Sequence, residues 1–230
     1  MKTQRNLFII MLALLIPVMA NTQTCDFYKV SSGAVFGYQN LDAKGKITGT
    51  TRTTFIDVSE VGPAIIYQVK SETADAKNAN TGMQEYKMRC EDGKFYVDMQ
   101  NFIDPKSMES FKDMEVSVDG NDMMYPSSLS AGETLPDANI TISAATGGVS
   151  IMNMVVTITN RQVVGTETVT VPAGTFECYK ITYNIETKLM FKINSTVTEY
   201  VNMGVGNVKS ETYDKKGKLI GTIVLSELKK

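Results

Sequence analysis

Tyr179-Lys180-Ile181-Thr182-Tyr183-Asn184-Ile185-Glu186-Thr187 is the stretch whose reading decides the fold. Large apolar side chains at 179, 181, 183 and 185 alternate with polar ones at 180, 182, 184 and 186. A period of two puts the first set on one face of a β-strand and the second on the other. Tyr, Ile and Thr also fit a pleated, half-buried surface. The stretch predicts a strand with one face against a core.

The same alternation recurs outward in both directions. Strands are expected near Val35–Leu41, Ile47–Val58, Ala64–Thr73, Gln84–Cys90 and Phe95–Met99. Others follow near Glu115–Val118, Thr134–Ser143, Ile151–Thr159, Val163–Val171, Phe176–Thr187, Phe191–Asn202, Val208–Tyr213 and Leu219–Leu228. Glu91-Asp92-Gly93-Lys94 joins two of them through an Asp-Gly pair, a strong hairpin signal. Asp42-Ala43-Lys44-Gly45-Lys46 and Asp214-Lys215-Lys216-Gly217-Lys218 are near copies, from duplication or from a shared preference for Lys-Gly-Lys at a hairpin tip. Two stretches break the pattern. Asp104 to Phe111, with Pro105 at the first helical position, predicts one short helix. Asp122–Pro136, with Pro126, Gly132 and Pro136, predicts a crossing loop. The expected fold is all-β: an antiparallel barrel, half-barrel or sandwich of about 12 strands with one short helix.

Residues 1–20 read as a secretory signal peptide. Lys2 and Arg5 precede the apolar run Leu7–Ile16, and Val18 and Ala20 supply the small residues that a signal peptidase selects. The run is well short of the roughly 20 apolar residues that span a bilayer. No second run of comparable character follows, so stable membrane insertion is not expected. Residues 21–230 form one expected β-rich domain, periplasmic or secreted. Of 23 basic and 25 acidic residues, removal of Lys2 and Arg5 leaves 21 and 25, a net charge of −4. Such a mixed surface gives no overall pull towards nucleic acid or anionic lipid.

Cys25, Cys90 and Cys178 lie in the expected mature chain, so an oxidising compartment allows one pair and leaves one thiol. Spacing does not say which two pair. Thr22-Gln23-Thr24 before Cys25 is a poor lipoprotein signal, and acylation there is not expected.

Catalytic chemistry finds little support. The sequence contains no histidine, which removes the commonest general base and zinc ligand. The cysteines have no C-x-x-C spacing, and no serine sits in a G-x-S-x-G frame. Asp119-Gly120-Asn121-Asp122 lacks the terminal Glu of a calcium loop and reads as a turn. The chain is expected to be non-enzymatic and to need no cofactor. Its 14 methionines, 11 of them beyond residue 20, serve either as core fillers or as lining for a variable apolar ligand. The second reading places Met152, Met154, Ile181 and Tyr183 along an apolar cleft without nearby charge.

Three phrases carry a family resemblance: Val171-Pro172-Ala173-Gly174-Thr175-Phe176-Glu177-Cys178-Tyr179-Lys180-Ile181, the run from Tyr200 to Glu211 containing Gly204-Val205-Gly206, and Cys90-Glu91-Asp92-Gly93-Lys94-Phe95. They resemble the TapB-like family of exported Bacteroidetes β-proteins, of unknown function and described as lipid-binding. The resemblance implies an architecture similar to the lipoprotein-carrier-like half-barrels or lipocalin-like barrels. It carries no catalytic residues. The expected partner is a lipid or other apolar small molecule, with an envelope protein as the alternative.

Overall fold

The computed structural model describes residues 25–99 and 113–230. The expected leader and the expected helix at 104–111 lie outside the described residues. Thirteen strands follow one another: β1 (Val35–Asp42), β2 (Ile47–Val61), β3 (Ala64–Asp75), β4 (Asn80–Glu91), β5 (Lys94–Val97), β6 (Glu115–Asn121) and β7 (Met123–Tyr125), then β8 (Ala138–Thr146), β9 (Val149–Val171), β10 (Gly174–Lys188), β11 (Lys192–Asn202), β12 (Gly206–Asp214) and β13 (Leu219–Lys229). They form one antiparallel sheet in the order β6-β8-β9-β10-β11-β12-β13-β1-β2-β3-β4-β5-β7. The edge strands β6 and β7 are consecutive in the chain, so the sheet curls until its edges nearly meet. The result is a nearly closed all-β barrel, as the alternation predicts.

Two details differ from the expected strands. The stretches read as Ile151–Thr159 and Val163–Val171 are one 23-residue strand, β9. Between them Asn160 has a positive φ of 56°, and the register against β10 shifts twice nearby. The break in alternation is therefore a pair of bulges, which re-aim side chains without ending the strand. Arg161, in this irregular stretch, is fully buried. The second difference is β7, three residues inside the expected crossing loop, which pairs with β5.

Arg161 also shows how the barrel is held shut. One guanidinium nitrogen donates to the carbonyls of Met124 at 2.9 Å and Pro136 at 2.8 Å. It thereby ties β9 to the β7 edge and to the connection beyond it. That connection runs beside β9: Gly132 N–H donates to Val163, Val163 to Glu133, and Leu135 to Arg161.

The hairpin tips divide between two ends. Asp42–Lys46, Asp75–Ala79, Gly147-Gly148, Leu189-Met190-Phe191 and Asp214–Lys218 share one end, as the antiparallel registers require. In three of them the Asp Oδ1 accepts backbone N–H groups two and four residues on: Lys44 and Lys46, Lys77 and Ala79, Lys216 and Lys218. The middle tip, Asp75-Ala76-Lys77-Asn78-Ala79, lacks the Lys-Gly-Lys sequence yet makes the same turn. The likeness of the other two thus follows from turn chemistry.

The opposite end is stoppered by residues 25–30. Lys29 N–H donates to the Gly204 carbonyl and Gly204 N–H to that of Phe27, each at 3.1 Å. Tyr67 Oη donates to the Tyr28 carbonyl. Cys25 and Cys90 form a disulfide with Cα atoms 6.0 Å apart, and Cys178 is left free and buried. The Phe27 ring stacks on Phe95 at 4.4 Å, while Tyr28 meets Phe36, Phe55 and Phe95 at 5.1–5.8 Å. The Gly204-Val205-Gly206 turn exists to receive this plug. Gly206 has φ 76°, and a Cβ there would lie 2.6 Å from Tyr28 ring atoms.

Candidate functional site

Inside the barrel, above the plug, is a cavity of about 620 Å³. Its lining follows from the alternation of each strand taken with position along it. On β1 the inward series is Phe36, Tyr38, Asn40; on β2 it is Thr53, Thr51 above the fully buried Phe55; on β3 it is Ser71, Thr73 above the fully buried Val69. The registers align these series, with Phe55 opposite Val69, Thr53 opposite Ser71 and Thr51 opposite Thr73. On β11 and β12 the order differs: Val197 and Glu199 stand opposite Thr212 and Ser210, with Glu199 the deeper of the two and Val197 nearer the tips. Along β1–β3 the inward face therefore changes from aromatic and aliphatic near the plug to hydroxyl and amide near the hairpin tips. Apolar surface near the plug would favour hydrocarbon, and the hydroxyl and amide groups of β1–β3 offer hydrogen bonds to a polar end.

Among the described residues, one charged group lines the cavity. Glu199 is 6% exposed, and Tyr125 Oη donates to its Oε2 at 2.9 Å. Burial raises its carboxyl above the ordinary value, against the lowering effects of the Tyr125 hydrogen bond and the Arg161 charge. Arg161 stands over the Tyr125 ring, 4.8 Å from its centroid. Its Nε and Nη2 are buried without a hydrogen-bond partner among the described residues. Burial also pushes the hydroxyls of Tyr67 and Tyr86 up to about 12, and those of Tyr28, Tyr38, Tyr125 and Tyr183 upward too. These tyrosines are neutral donors at physiological pH. Among the described residues no three His, Cys, Asp or Glu side chains come together to hold a metal ion.

The four residues singled out in the sequence are only partly brought together. Tyr183 lines the cavity. Ile181, two residues away on β10, is fully buried and lies outside the lining. Met152 and Met154 sit opposite Ala144 and Ile142 of β8, packed against the core. The cavity does contain methionine, but as Met88 and Met123. The expected absence of nearby charge is corrected by Glu199: its neighbour in the folded chain, Tyr125, is 74 residues away. The disulfide occupies the sulfur of Cys25, which is thereby unavailable for a thioether-linked lipid.

A family model described as DUF3108-like matches residues 31–225. The chain belongs to the DUF3108-like family. All three phrases that carried the sequence resemblance lie inside the matched residues. Two solved structures share the fold of this DUF3108-like protein. A Bacteroides fragilis protein, described as exported by inference and with a YmcC-like fold, is 23% identical, with a TM-score of 0.73. A Parabacteroides distasonis protein, described by inference as a lipoprotein, is 25% identical, also at 0.73. Each match covers 90% of this chain and 100% of the other. No curated protein matches the sequence.

Proposed function

We propose that this DUF3108-like protein is an exported, non-enzymatic binding protein that holds an amphiphile of the lipid class in its barrel. The observation that carries the reading is the cavity lining, aromatic at the plug and, along β1–β3, hydroxyl and amide towards the mouth. A volume of about 620 Å³ falls in the range of small-molecule sites, roughly 300–1,000 Å³. Each methylene buried against Phe36, Phe95 and Val197 contributes about 0.8 kcal/mol before ordering costs. Periplasmic or secreted location is supported by the leader-like first twenty residues and by the two fold relatives. A binding role is supported by the chemistry of the lining, where one carboxylate stands among neutral tyrosines without a paired base.

Displacement of an environment-sensitive fluorophore by fatty acids or phospholipids tests this directly. Thr212→Trp places an indole in the mouth side of the cavity and should abolish displacement. Val164→Asp, on an exposed outward position of β9, should leave it intact. A probe that wild type does not bind, or that Thr212→Trp binds equally well, would favour an adaptor role in an envelope complex.

A further inference from the structure

The outer end of the barrel has a second, unpartnered feature. Between β10 and β11, Leu189, Met190, Phe191 and Ile193 are 49%, 84%, 77% and 65% exposed. Large apolar side chains at such exposure on a hairpin tip contribute nothing to the core. At the same end, Val149 and Ile151 flank the Gly147-Gly148 turn at 63% and 55%. The apolar tips stand among lysines. The five tips together hold Lys44, Lys46, Lys77, Lys188, Lys192, Lys215, Lys216 and Lys218 against Asp42, Asp75 and Asp214, eight minus three, a local charge of +5. Asp113 and Glu115 at the start of β6, and Glu186 paired with Lys192 at 2.8 Å, reduce this to +2 without reversing it. The other seven lysines make no ion pair among the described residues. The whole chain, by contrast, is −2. The overall charge conceals a basic end.

We propose that this end docks on an anionic phospholipid bilayer, with Leu189-Met190-Phe191 entering the interface and the tip lysines facing headgroup phosphates. Apolar side chains projecting from a ring of lysines match the interface, where hydrocarbon and anionic charge lie within a few ångströms of each other. The surface is continuous with the cavity mouth, since Asn40, Thr51, Thr73 and Thr212 lead out to the same tips. The docking does not depend on the cavity being occupied, so it stands or falls separately from the binding reading. It is peripheral: three residues reach the interface and no strand crosses.

The test is co-sedimentation of the intact exported protein with vesicles of phosphatidylglycerol mixed into phosphatidylcholine, against phosphatidylcholine alone. Binding is expected to the anionic vesicles only, and to weaken as the Debye length is cut to about 3 Å at about 1 M salt. Met190→Glu with Phe191→Glu should lower the partition coefficient about tenfold or more. Lys215→Glu with Lys216→Glu should do so at low salt and lose its effect at high salt. All four positions are exposed, so an unchanged circular dichroism spectrum and unchanged fluorophore binding establish that the variants are folded. Failure of wild type to sediment with anionic vesicles would overturn the proposal. So would equal partitioning of the Met190/Phe191 variant, or tip-dependent cross-linking to an envelope protein with no vesicle binding.

Discussion

Breaking the Cys25–Cys90 disulfide should loosen the plug that forms the inner end of the cavity. The bridge closes a loop with a sequence separation of 65 residues. The loop-entropy relation for that length gives about 4 kcal/mol of stabilisation at 25 °C. The native state keeps other ties to the plug: the Gly204 pairing, the Tyr67 hydrogen bond and the rings of Phe27 and Tyr28. The barrel should therefore survive with a lower melting temperature. For a chain of this size about 4 kcal/mol corresponds to a fall of about 8–16 °C. Thermal melts of wild type with and without dithiothreitol, and of Cys25→Ser with Cys90→Ser, measure it. Reduction should lower wild type towards the double variant and leave the double variant unchanged. Cys178→Ser should show the same dithiothreitol response as wild type, since Cys178 is buried and free. A wild-type melt indifferent to reductant, or peptide mapping that links Cys178 to either partner, would refute the reasoning.

Gly206→Ala should destabilise by about 2 kcal/mol in urea titrations, because φ is 76° and the new Cβ meets the Tyr28 ring. Arg161→Met removes two charge-assisted hydrogen bonds from a fully buried guanidinium to part-buried carbonyls and should cost about 3 kcal/mol by the same assay. Glu199 gives a pH signature. Its folded carboxyl titrates above the ordinary 4.5, so the folded state holds this proton more tightly than the unfolded state. The associated stability is fully present below about pH 4.5 and is lost as pH rises through the raised value. Wild type should thus lose stability relative to Glu199→Gln over that window, and a difference curve flat in pH would contradict the burial of the carboxylate.

Much of the fold is legible in the sequence because its strands alternate cleanly. Tyr183 and Ile185 do face the interior, and Asp92-Gly93 does turn a hairpin, with φ of 50° and 71°. What escapes is whatever depends on distant partners. β7 is three residues long, too short for alternation to register, and forms only because β5 offers it an edge. Cys25-Asp26-Phe27-Tyr28 has no periodicity and is placed by Cys90, Gly204 and Tyr67. Glu199 looks like a solvated residue in Thr198-Glu199-Tyr200, since charged residues usually are, yet it shares the inward face of Val197. A usable signal for the cavity was present. Thr53 and Thr51 continue the parity of Phe55, and Ser71 and Thr73 that of Val69. An inward face that turns from apolar to hydroxylic along successive strands marks an interior the side chains do not fill.

Native mass spectrometry of the protein isolated from the cells that produce it tests the central claim most directly. A ligand held in the cavity predicts a population carrying an additional amphiphile mass, released on unfolding and missing from Thr212→Trp prepared in the same way. Wild type that flies only at its bare polypeptide mass, or an added mass retained equally by Thr212→Trp, would contradict it.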